Sequence, residues 1–357
     1  MRQLLRLLKM LHKLNIGVIG CGMVGEHHIH ALLNNKNVNL KWVCDTDGEK
    51  LNRIRKKYSI KYYTNKHSEV ILDENTHAVI ICTQPNTHFE LAAFAINAGK
   101  HVLVEKPLVM NNKELIEILK IVNSYPNLVI MDASIRHSRL QPKFTSIKSI
   151  IDSGRLGEVY AIHHNVIKRQ SRPGIEYHPK ASWFYNKKLS GGGPLLDWGV
   201  YDLSFHLGIL GDTHNVQSVK SWTFNGLDQF SLNNQDFSVE EHGIVMLEFD
   251  QNLVYYWERA SNAHNESLNE TRIYGKKGGL KFNYLSWESN KVIQYYLDKN
   301  GKACENCIML SMDEHNTHLH DFDALDEHFI DCILGYQEPI MPVSLACKYL
   351  NIIFQIL

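Results

Sequence analysis

The chain has 357 residues, which is enough for two domains with substantial hydrophobic cores. Its 38 Lys and Arg residues balance 38 Asp and Glu residues, so net charge does not favour binding to nucleic acid or to an anionic membrane. No apolar run reaches the ~20 residues of a membrane-spanning helix, and seven cysteines, an odd number, are typical of reduced thiols rather than of a disulfide framework. We therefore expect a cytoplasmic protein of two domains.

The first 13 residues are predicted to be an N-terminal extension. Leu4, Leu8 and Leu11 share one face of a potential helix, and basic residues lie elsewhere. One interpretation of this segment is a helix for membrane-surface binding or targeting. The other is a plain extension, for which Met10 is an equally plausible first residue of the protein. The plain extension is favoured, because basic residues interrupt any apolar core of a signal peptide.

Residues 14–25 combine a short apolar strand, a G-x-G-x-x-G turn and the start of a helix. Gly20 permits the tight turn, Gly22 lets the backbone approach a pyrophosphate, and Gly25 allows the helix to pack closely on the strand. The free N–H groups and the dipole at the start of the helix then favour phosphate groups. This pattern predicts a dinucleotide-binding site.

Asp45 supports the same prediction and indicates which dinucleotide binds. It ends a second strand about 20 residues after the last glycine, where such folds place the carboxylate that binds the adenosine ribose. A carboxylate there accepts hydrogen bonds from the 2′-hydroxyl and repels a 2′-phosphate. NAD is therefore favoured over NADP, although the nearby Lys50 and Arg53 weaken the preference.

The segment 14–134 is predicted to be a Rossmann domain. Strands are expected at 14–19, 39–44, 61–64, 78–83, 101–104 and 128–131, and helices at 23–34, 47–57, 87–98 and 111–123. Strands alternating with helices of this length predict right-handed βαβ units and a parallel sheet. Ligands of such sheets bind at the carboxyl ends of the strands, so the residues after each strand are candidates for the site.

The segment 135–357 is predicted to be a C-terminal α/β domain on a large, mostly antiparallel open sheet. Helices are expected at 141–153 and 194–210, strands at 158–168, 216–225, 237–249, 252–260, 269–275 and 291–297, and a turn at Lys277-Gly278-Gly279. One face of the sheet should cover the cofactor cleft. The other face must be hidden from water, which predicts a homodimer or homotetramer.

The last helix is expected at 345–357. Leu350, Ile353 and Leu357 form one apolar stripe, and the run stops without a cap or a polar tail. We expect part of this apolar surface to remain exposed, with low thermal stability as the result.

Two motifs after predicted strands carry candidate site residues. Pro85 and Asn86 form a turn, Thr87 is a candidate N-cap, and His88 lies in the first turn of the following helix. The alternative is an ordinary loop and cap. The segment Glu105-Lys106-Pro107 follows the fifth strand and is either a buried, compensated pair of charges or a solvent-exposed ion pair.

A third motif is GGGPLLDWGVY at 191–201. Pro194 suits the first position of a helix, and on a continuous helix Asp197 and Tyr201, four residues apart, share one face. The tyrosine is a candidate proton donor or acceptor, and His206 is its competitor. The alternative is an ordinary amphipathic helix with a tyrosine on its rim.

A cluster near residue 310 contains the donor types of a zinc site. Cys304 and Cys307 are followed by His315, His318 and His320. The gap between the cysteines and histidines is shorter than in finger modules. We interpret the segment as a surface loop and predict no metal site.

From residue 14 onwards the chain resembles the Gfo/Idh/MocA family of glucose–fructose oxidoreductases and inositol dehydrogenases. The matching segments are GVIGCGMVG, VCDTD, ICTQPNTHFELAAFAINAGKHVLVEKPL, RLQP, SGRLGEV and GGGPLLDWGVYDL, of which the EKP element is the most specific. The resemblance implies NAD(P)-dependent hydride transfer at a hydroxyl-bearing carbon of a sugar, sugar derivative or cyclitol. It also implies that the open sheet mediates oligomerisation.

The resemblance further implies roles for particular residues. Lys106 would touch both the nicotinamide and the substrate hydroxyl, and Asp197 and Tyr201 would flank the reacting carbon. Many relatives have His at the position of Tyr201, and many have Asp where this chain has Ser204. The residues expected to bind the cofactor are Gly20, Gly22, Met23, Val24, Gly25, Asp45, Thr83, Pro85, Asn86, His88, Glu105 and Lys106.

Two other functions stay open at this point. The first is a cofactor-binding regulator or scaffold that has the fold but no turnover. The second is a glycosidase that uses tightly held NAD⁺ for transient oxidation with no net redox change. The sequence does not identify the sugar.

Overall fold

The computed structural model describes residues 13–169, 182–226, 238–310 and 320–357. The chain forms two compact units: unit 1 comprises residues up to Arg136 together with 318–348, and unit 2 comprises 137–317 together with 349–357. The predicted N-terminal extension lies, except for Lys13, outside the described residues. Within the described ranges, no helix is both long and apolar enough to cross a membrane.

The core of unit 1 is a six-stranded sheet. Its strands are β1 (Leu14–Ile19), β2 (Val38–Cys44), β3 (Tyr62–Thr64), β4 (Ala78–Ile81), β5 (His101–Val104) and β6 (Ile130–Asp132). The order is β3-β2-β1-β4-β5-β6, and every neighbouring pair is parallel. The predicted parallel Rossmann sheet is confirmed. In this order the chain reverses direction across the sheet between β1 and β4, where such folds bind dinucleotides.

Helices connect these strands and, apart from a short helix at 67–71 that was not predicted, lie at nearly the predicted positions. They are α1 (Met23–Asn34), α2 (Gly48–Tyr58), α3 (His67–Ile71), α4 (His88–Asn97) and α5 (Asn112–Ser124). Asp47 caps α2 and Asn111 caps α5, each by accepting backbone N–H groups of the first turn. Local sequence signals therefore account for these boundaries.

Unit 2 contains an eight-stranded sheet. Its strands are β7 (Val159–Ile167), β8 (Val216–Phe224), β9 (His242–Phe249), β10 (Val254–Ala260), β11 (Leu268–Gly275), β12 (Gly278–Phe282), β13 (Lys291–Leu297) and β14 (Ala303–Met309). The order is β14-β13-β12-β11-β7-β10-β9-β8, and only the β7–β10 pair is parallel. The predicted large, mostly antiparallel sheet is confirmed.

Two strands of this sheet were not predicted. Gly278 and Gly279 belong to β12 rather than to a turn. A Cβ on Gly278 would lie 2.8 Å from the carbonyl oxygen of Tyr295, and one on Gly279 would lie 2.9 Å from that of Ile273. Glycine there permits close approach of neighbouring backbones. The loop predicted around Cys304 and Cys307 is instead the edge strand β14, whose mostly exposed side chains give no apolar alternation.

The helices of unit 2 differ from the prediction at two places, a break at Trp198 and a short helix at 187–190 that was not predicted. They are α6 (Pro142–Asp152), α7 (Lys187–Ser190), α8 (Pro194–Asp197) and α9 (Gly199–Gly208). The single helix predicted at 194–210 is wrong, because Trp198, with φ −107°, separates α8 from α9. Glycine at 199 lets α9 approach the ring of Trp257, which a Cβ would meet at 2.5 Å.

The last two helices are α10 (His320–Leu334) and α11 (Val343–Phe354). Helix α10 packs against α1 in unit 1, whereas the sequence analysis had placed all of 135–357 in the second domain. Of the predicted stripe, Leu350 and Ile353 are at most 1% exposed and Leu357 is partly exposed, so the expected exposure is confined to the last residue. The surface that covers an amphipathic helix depends on distant residues, which its own pattern does not specify.

Candidate active site

The glycine turn of unit 1 has the geometry that a dinucleotide requires. Gly20 has φ +99°, and a Cβ there would lie 2.5 Å from the carbonyl oxygen of Cys82. A Cβ on Gly25 would lie 1.9 Å from the carbonyl oxygen of Gly20, so only glycine lets α1 start this close to β1. At Gly22, which precedes α1, a Cβ would meet nothing within 4 Å. The turn therefore offers open space at the start of a helix, which fits a pyrophosphate.

Asp45 ties this turn to the end of β2. Its Oδ2 accepts the backbone N–H of Cys21 at 2.7 Å, and its Oδ1 accepts that of Asp47 at 2.8 Å. A carboxylate has about four acceptor positions, so capacity remains for ribose hydroxyls. The two cations expected to weaken NAD preference are paired elsewhere: Lys50 with Asp47 and Arg53 with Glu26.

Changing Asp45 to Asn should raise the Kd for NAD by roughly tenfold, since hydrogen bonds to a charged group typically contribute about 1.5–3 kcal/mol. The substitution retains an acceptor oxygen for the Cys21 N–H and removes the charge that repels a 2′-phosphate. We expect NADP to bind more tightly to this variant than to the wild type. Titration of both cofactors tests this, with the exposed Glu49→Gln as the control, and NADP binding as tight as NAD to the wild type would contradict the assignment.

The segment after β4 contains both open and enclosed residues. Asn86 is exposed and Thr83 is partly exposed, whereas Pro85 is buried. Thr87 occupies the N-cap position of α4, but its hydroxyl contacts Thr83 Oγ1 and the Gln84 carbonyl rather than capping the helix.

His88 is fully enclosed. Its Nδ1 lies 2.8 Å from the Pro107 carbonyl oxygen and its Nε2 lies 3.0 Å from that of Thr83. The ring thereby joins the segments that follow β4 and β5, and burial lowers the pKa of His88. This placement makes His88 a residue that holds the ends of two strands together.

Glu105 lies in a buried chain of charges. Arg136 donates to its carboxylate at 2.8 and 3.4 Å, and His28 Nε2 lies 3.2 Å from the same group. His28 Nδ1 in turn lies 2.7 Å from Asp326 Oδ1 on α10. Burial opposes charge on Glu105, but Arg136 and His28 outweigh burial and hold the pKa of Glu105 well below its usual range. Of the two alternatives for this pair, the solvent-exposed one is wrong for Glu105.

This chain of charges fixes the backbone that carries Lys106. The carboxylate of Glu105 also accepts the Lys106 backbone N–H at 3.2 Å. Lys106 is itself partly exposed, at the carboxyl end of β5. Sequence analysis missed the contributions of His28 and Asp326, since no local pattern links a histidine on α1 to a carboxylate 298 residues later.

In unit 2 the glycine-rich turn at 191–193 is occupied by a carboxylate. Glu240 accepts the backbone N–H groups of Gly193 at 2.7 Å and Leu195 at 3.0 Å, and it is 7% exposed. A Cβ on Gly193 would lie 1.9 Å from the Glu240 carbonyl oxygen. The turn therefore positions α8 against the segment that precedes β9, and its N–H groups at Gly193 and Leu195 are taken by Glu240.

Tyr201 lies among aromatic rings. His137 lies 4.9 Å and Trp198 lies 5.5 Å from it between ring centroids, and Trp287 lies 5.0 Å from His137. Tyr201 is 1% exposed, whereas Asp197 at the end of α8 is partly exposed. The break at Trp198 places Asp197 and Tyr201 on two consecutive helices rather than on the one continuous helix predicted.

The residue after Tyr201 is the centre of a buried polar network that sequence analysis missed. Asp202 accepts from Arg259 Nη2 at 2.7 Å, Trp257 Nε1 at 2.9 Å and Tyr284 Oη at 2.9 Å, and His164 Nε2 lies 3.2 Å away. Burial opposes the charge, but Arg259 and His164 outweigh it and hold the pKa of Asp202 far below its usual range. The network fixes α9 to the sheet.

His206 belongs to the same helix–sheet contact. Its Nδ1 lies 2.9 Å from Tyr255 Oη, and its Nε2 lies 3.0 Å from Thr271 Oγ1. Burial, together with the neighbouring His164, lowers the pKa of His206 well below its usual value. Both ring nitrogens are therefore engaged by residues of the sheet.

Changing Asp202 to Ala should lower the free energy of unfolding by about 3–5 kcal/mol, because it leaves the buried Arg259 guanidinium uncompensated. Asp152→Ala is the matched control, since Asp152 pairs with Lys148 at 3.0 Å on the surface of α6; exposed pairs contribute about 0.2–1 kcal/mol. Urea unfolding measures both variants. Equal, small losses in the two would show that the network does not stabilise the helix.

The RLQP segment and Ser204 form a further contact in unit 2. Arg139 donates to both oxygens of Asp212 at 2.8 and 2.7 Å, and its Nε donates to Ser204 Oγ at 3.2 Å. Ser204, at the position where many relatives have Asp, is fully buried. Here the hydroxyl serves helix packing.

No group of three or more His, Cys, Asp or Glu side chains in the described ranges is arranged to hold a metal ion. Cys304 and Cys307 lie on β14, while His315 and His318 fall outside the described residues. The absence of a metal site at this cluster therefore remains a prediction.

Comparison with known proteins agrees with this fold. Residues 14–133 match the model of the oxidoreductase family with an NAD-binding Rossmann fold, and residues 144–281 match the GFO/IDH/MocA C-terminal domain. The chain is 24% identical to a D-glucoside 3-dehydrogenase of Escherichia coli (strain K12) over 328 residues, which covers 88% of this chain and 87% of that protein. It is 26% identical to a myo-inositol 2-dehydrogenase of Thermotoga maritima over 200 residues, 56% of this chain and 55% of that protein.

Solved structures show the same fold. A levoglucosan dehydrogenase in complex with NADH and levoglucosan superposes with a TM-score of 0.81 at 19% identity, over 96% of this chain and 95% of that chain. A myo-inositol 2-dehydrogenase from Lactobacillus plantarum gives 0.75 at 21% identity, over 96% of each chain. Because the two family models together match more than half of the chain, the chain belongs to the Gfo/Idh/MocA family of NAD-binding oxidoreductases.

Proposed function

We propose that the protein oxidises or reduces a hydroxyl-bearing carbon of a sugar, sugar derivative or cyclitol, with NAD as the cofactor. The observation that carries the proposal is the retention of Lys106 after β5 together with Asp197 and Tyr201 at the α8–α9 break, in a chain with an intact dinucleotide turn. The names of its relatives support the substrate class: a D-glucoside 3-dehydrogenase and inositol dehydrogenases.

The proposal assigns a separate task to each side chain. When bound, NAD supplies the hydride acceptor or donor at the nicotinamide ring. Tyr201 exchanges the proton of the reacting hydroxyl, Lys106 holds the hydroxyl oxygen with its ammonium, and Asp197 orients the substrate through a neighbouring hydroxyl. Positioned proton transfer of this kind typically contributes ~10²–10⁴-fold to a rate.

The buried networks support this assignment because one holds the segment that carries Lys106 and the other holds the segment that carries Tyr201. Glu105 fixes the backbone at Lys106, and Asp202 fixes α9 beside Tyr201. Fixed geometry lowers the entropic cost of aligning reacting groups.

A panel of sugars, glycosides and cyclitols, each incubated with NAD⁺ or NADP⁺, tests the proposal through the absorbance of the reduced cofactor. We expect at least one compound of the panel to be oxidised with NAD⁺. Glycosidic cleavage without net reduction would favour the NAD-dependent glycosidase instead. Cofactor binding with neither reaction across the panel would favour the regulator or scaffold.

The open face of the unit 2 sheet supports self-association. Trp222, Phe224, Met246 and Tyr295 are between 39% and 58% exposed. Exposed apolar sheet faces of soluble proteins usually mark interaction sites. We propose a homodimer or homotetramer joined through this face, and sedimentation velocity tests it: a monomer at micromolar concentration would contradict the proposal.

A further inference from the structure

The connection between β12 and β13 is longer than an antiparallel pair needs. It comprises residues 283–290, which we call the Trp287 loop. Hairpin connections usually need two to five residues, and longer loops are often functional. The loop is therefore a candidate for a task other than connection.

A buried lysine holds the loop in place. Lys143 on α6 is 0% exposed, and its ammonium donates to the carbonyl oxygens of Asn283, Ser289 and, at 3.2 Å, Leu285. Burying an ammonium is costly unless its protons are donated, and three carbonyls match its three donors. Burial lowers the pKa of Lys143 to about 8, so the side chain still carries its charge at neutral pH.

Two further contacts anchor the loop before Trp287. The side chain of Gln141, just ahead of α6, accepts the Ser286 N–H at 3.1 Å. Tyr284 donates to Asp202 at 2.9 Å and so joins the loop to the network beneath α9. With Lys143 contacting Ser289 on the far side, the backbone is held both before and after Trp287.

The anchored loop places Trp287 next to the aromatic rings around Tyr201. Trp287 is partly exposed and meets the edge of the His137 ring, with 5.0 Å between centroids. His137 also stacks on Trp198, which lies beside Tyr201. The anchors on both sides of Trp287 therefore hold the indole in one position beside these rings.

We propose that Trp287 is a substrate-contacting residue: with Trp198 it forms an aromatic surface beside Tyr201 on which the C–H face of a sugar or cyclitol ring packs. Lys143 is the positioning residue that holds this surface in shape. Aromatic rings combine a large apolar contact area with few rotatable bonds, which suits a rigid, hydroxylated ring. The inference rests on the proposed function and adds the group that recognises the ring.

Trp287→Ala and Trp287→Phe test the contact, with Tyr336→Ala as the control because Tyr336 is 48% exposed after α10. For the best substrate of the panel, we expect Trp287→Ala to raise KM roughly tenfold, equivalent to about 1.4 kcal/mol. The kcat and the Kd for NAD should stay within about threefold, since the ring contact is uniform binding. Phe should restore most of the affinity, and Tyr336→Ala should change neither constant.

A KM for Trp287→Ala within about twofold of the wild-type value would overturn the contact, and so would an equal rise in Tyr336→Ala. The proposed function is tested separately by whether the wild-type protein turns over any compound of the panel. The ring contact is tested only by the ratio of the variant KM to the wild-type KM.

Lys143→Met tests the positioning role, with Lys148→Met on the exposed side of α6 as the control. If Lys143 acts through Trp287, the double variant Lys143→Met/Trp287→Ala should lose no more kcat/KM than Trp287→Ala alone. If the losses in kcat/KM of the two single variants multiply in the double variant, Lys143 does not act through Trp287. Should Lys143→Met not fold, Gln141→Ala, which removes the Ser286 contact, enters the same cycle.

Discussion

Replacing Tyr201 with Phe should lower kcat/KM by roughly 10²–10⁴-fold while the fold stays intact, the range expected for one lost acid–base group. Tyr201 is 1% exposed among the rings of His137 and Trp198, and phenylalanine keeps those ring contacts. Only the hydroxyl is lost. Steady-state kinetics, with a melting curve and an NAD titration for each variant, measure the effect.

His206→Gln is the comparison variant, because His206 on α9 is the competitor of Tyr201 for proton exchange. Both of its ring nitrogens contact residues of the sheet, so we expect its replacement to lower thermal stability more than the rate. If His206→Gln inactivates the enzyme and Tyr201→Phe does not, the proton-exchanging residue has been assigned wrongly.

Lys106→Met should abolish measurable turnover and leave the Kd for NAD within a few fold. Methionine approximates the length of the lysine stem and removes the ammonium that the proposal places on the reacting oxygen. The dinucleotide turn and Asp45 belong to other strands and are unchanged. Stopped-flow and steady-state assays give the rate, and isothermal titration gives the affinity.

Lys113→Met, on the exposed surface of α5, serves as the control for loss of a positive charge from unit 1. A Lys106→Met variant with near-normal kcat would remove Lys106 from the mechanism. A large loss of NAD affinity instead would make it a cofactor-binding residue only.

The sequence was sufficient to predict the elements whose causes are local. In the dinucleotide turn, Gly20 and Gly25 occupy positions that tolerate no side chain, and Gly22 faces open space. These requirements fix the spacing of the three glycines in the sequence. Asp45 follows β2 as predicted because a strand end and a following carboxylate are adjacent in sequence. The parallel sheet follows from strands that alternate with helices.

The buried networks could not be predicted, because each joins residues that are far apart in sequence. Asp326 reaches His28 across 298 residues, and Tyr284 reaches Asp202 across 82. Neither a carboxylate on a helix nor a histidine near a glycine turn has a distinctive local pattern. Only the fold brings together the partners that make their burial favourable.

The break at Trp198 was missed for a different reason. The apolar pattern of 194–210 is compatible with one helix. A periodic pattern of apolar residues gives no sign of a break at a single residue. Glycine at 199 was the available signal, since glycine is a poor former of helix interiors. The close approach of α9 to Trp257 explains why glycine is there.

The central claim, net hydride transfer at a carbinol carbon, is tested most directly by the stoichiometry of the reaction. The wild-type protein is incubated with NAD⁺ and the best substrate of the panel, NADH is measured by absorbance, and the sugar products are measured by mass spectrometry. We expect one NADH for each substrate molecule that loses two hydrogen atoms, with the carbon skeleton uncleaved. Cleaved product without net NADH, or no product from a protein that binds NAD, would contradict it.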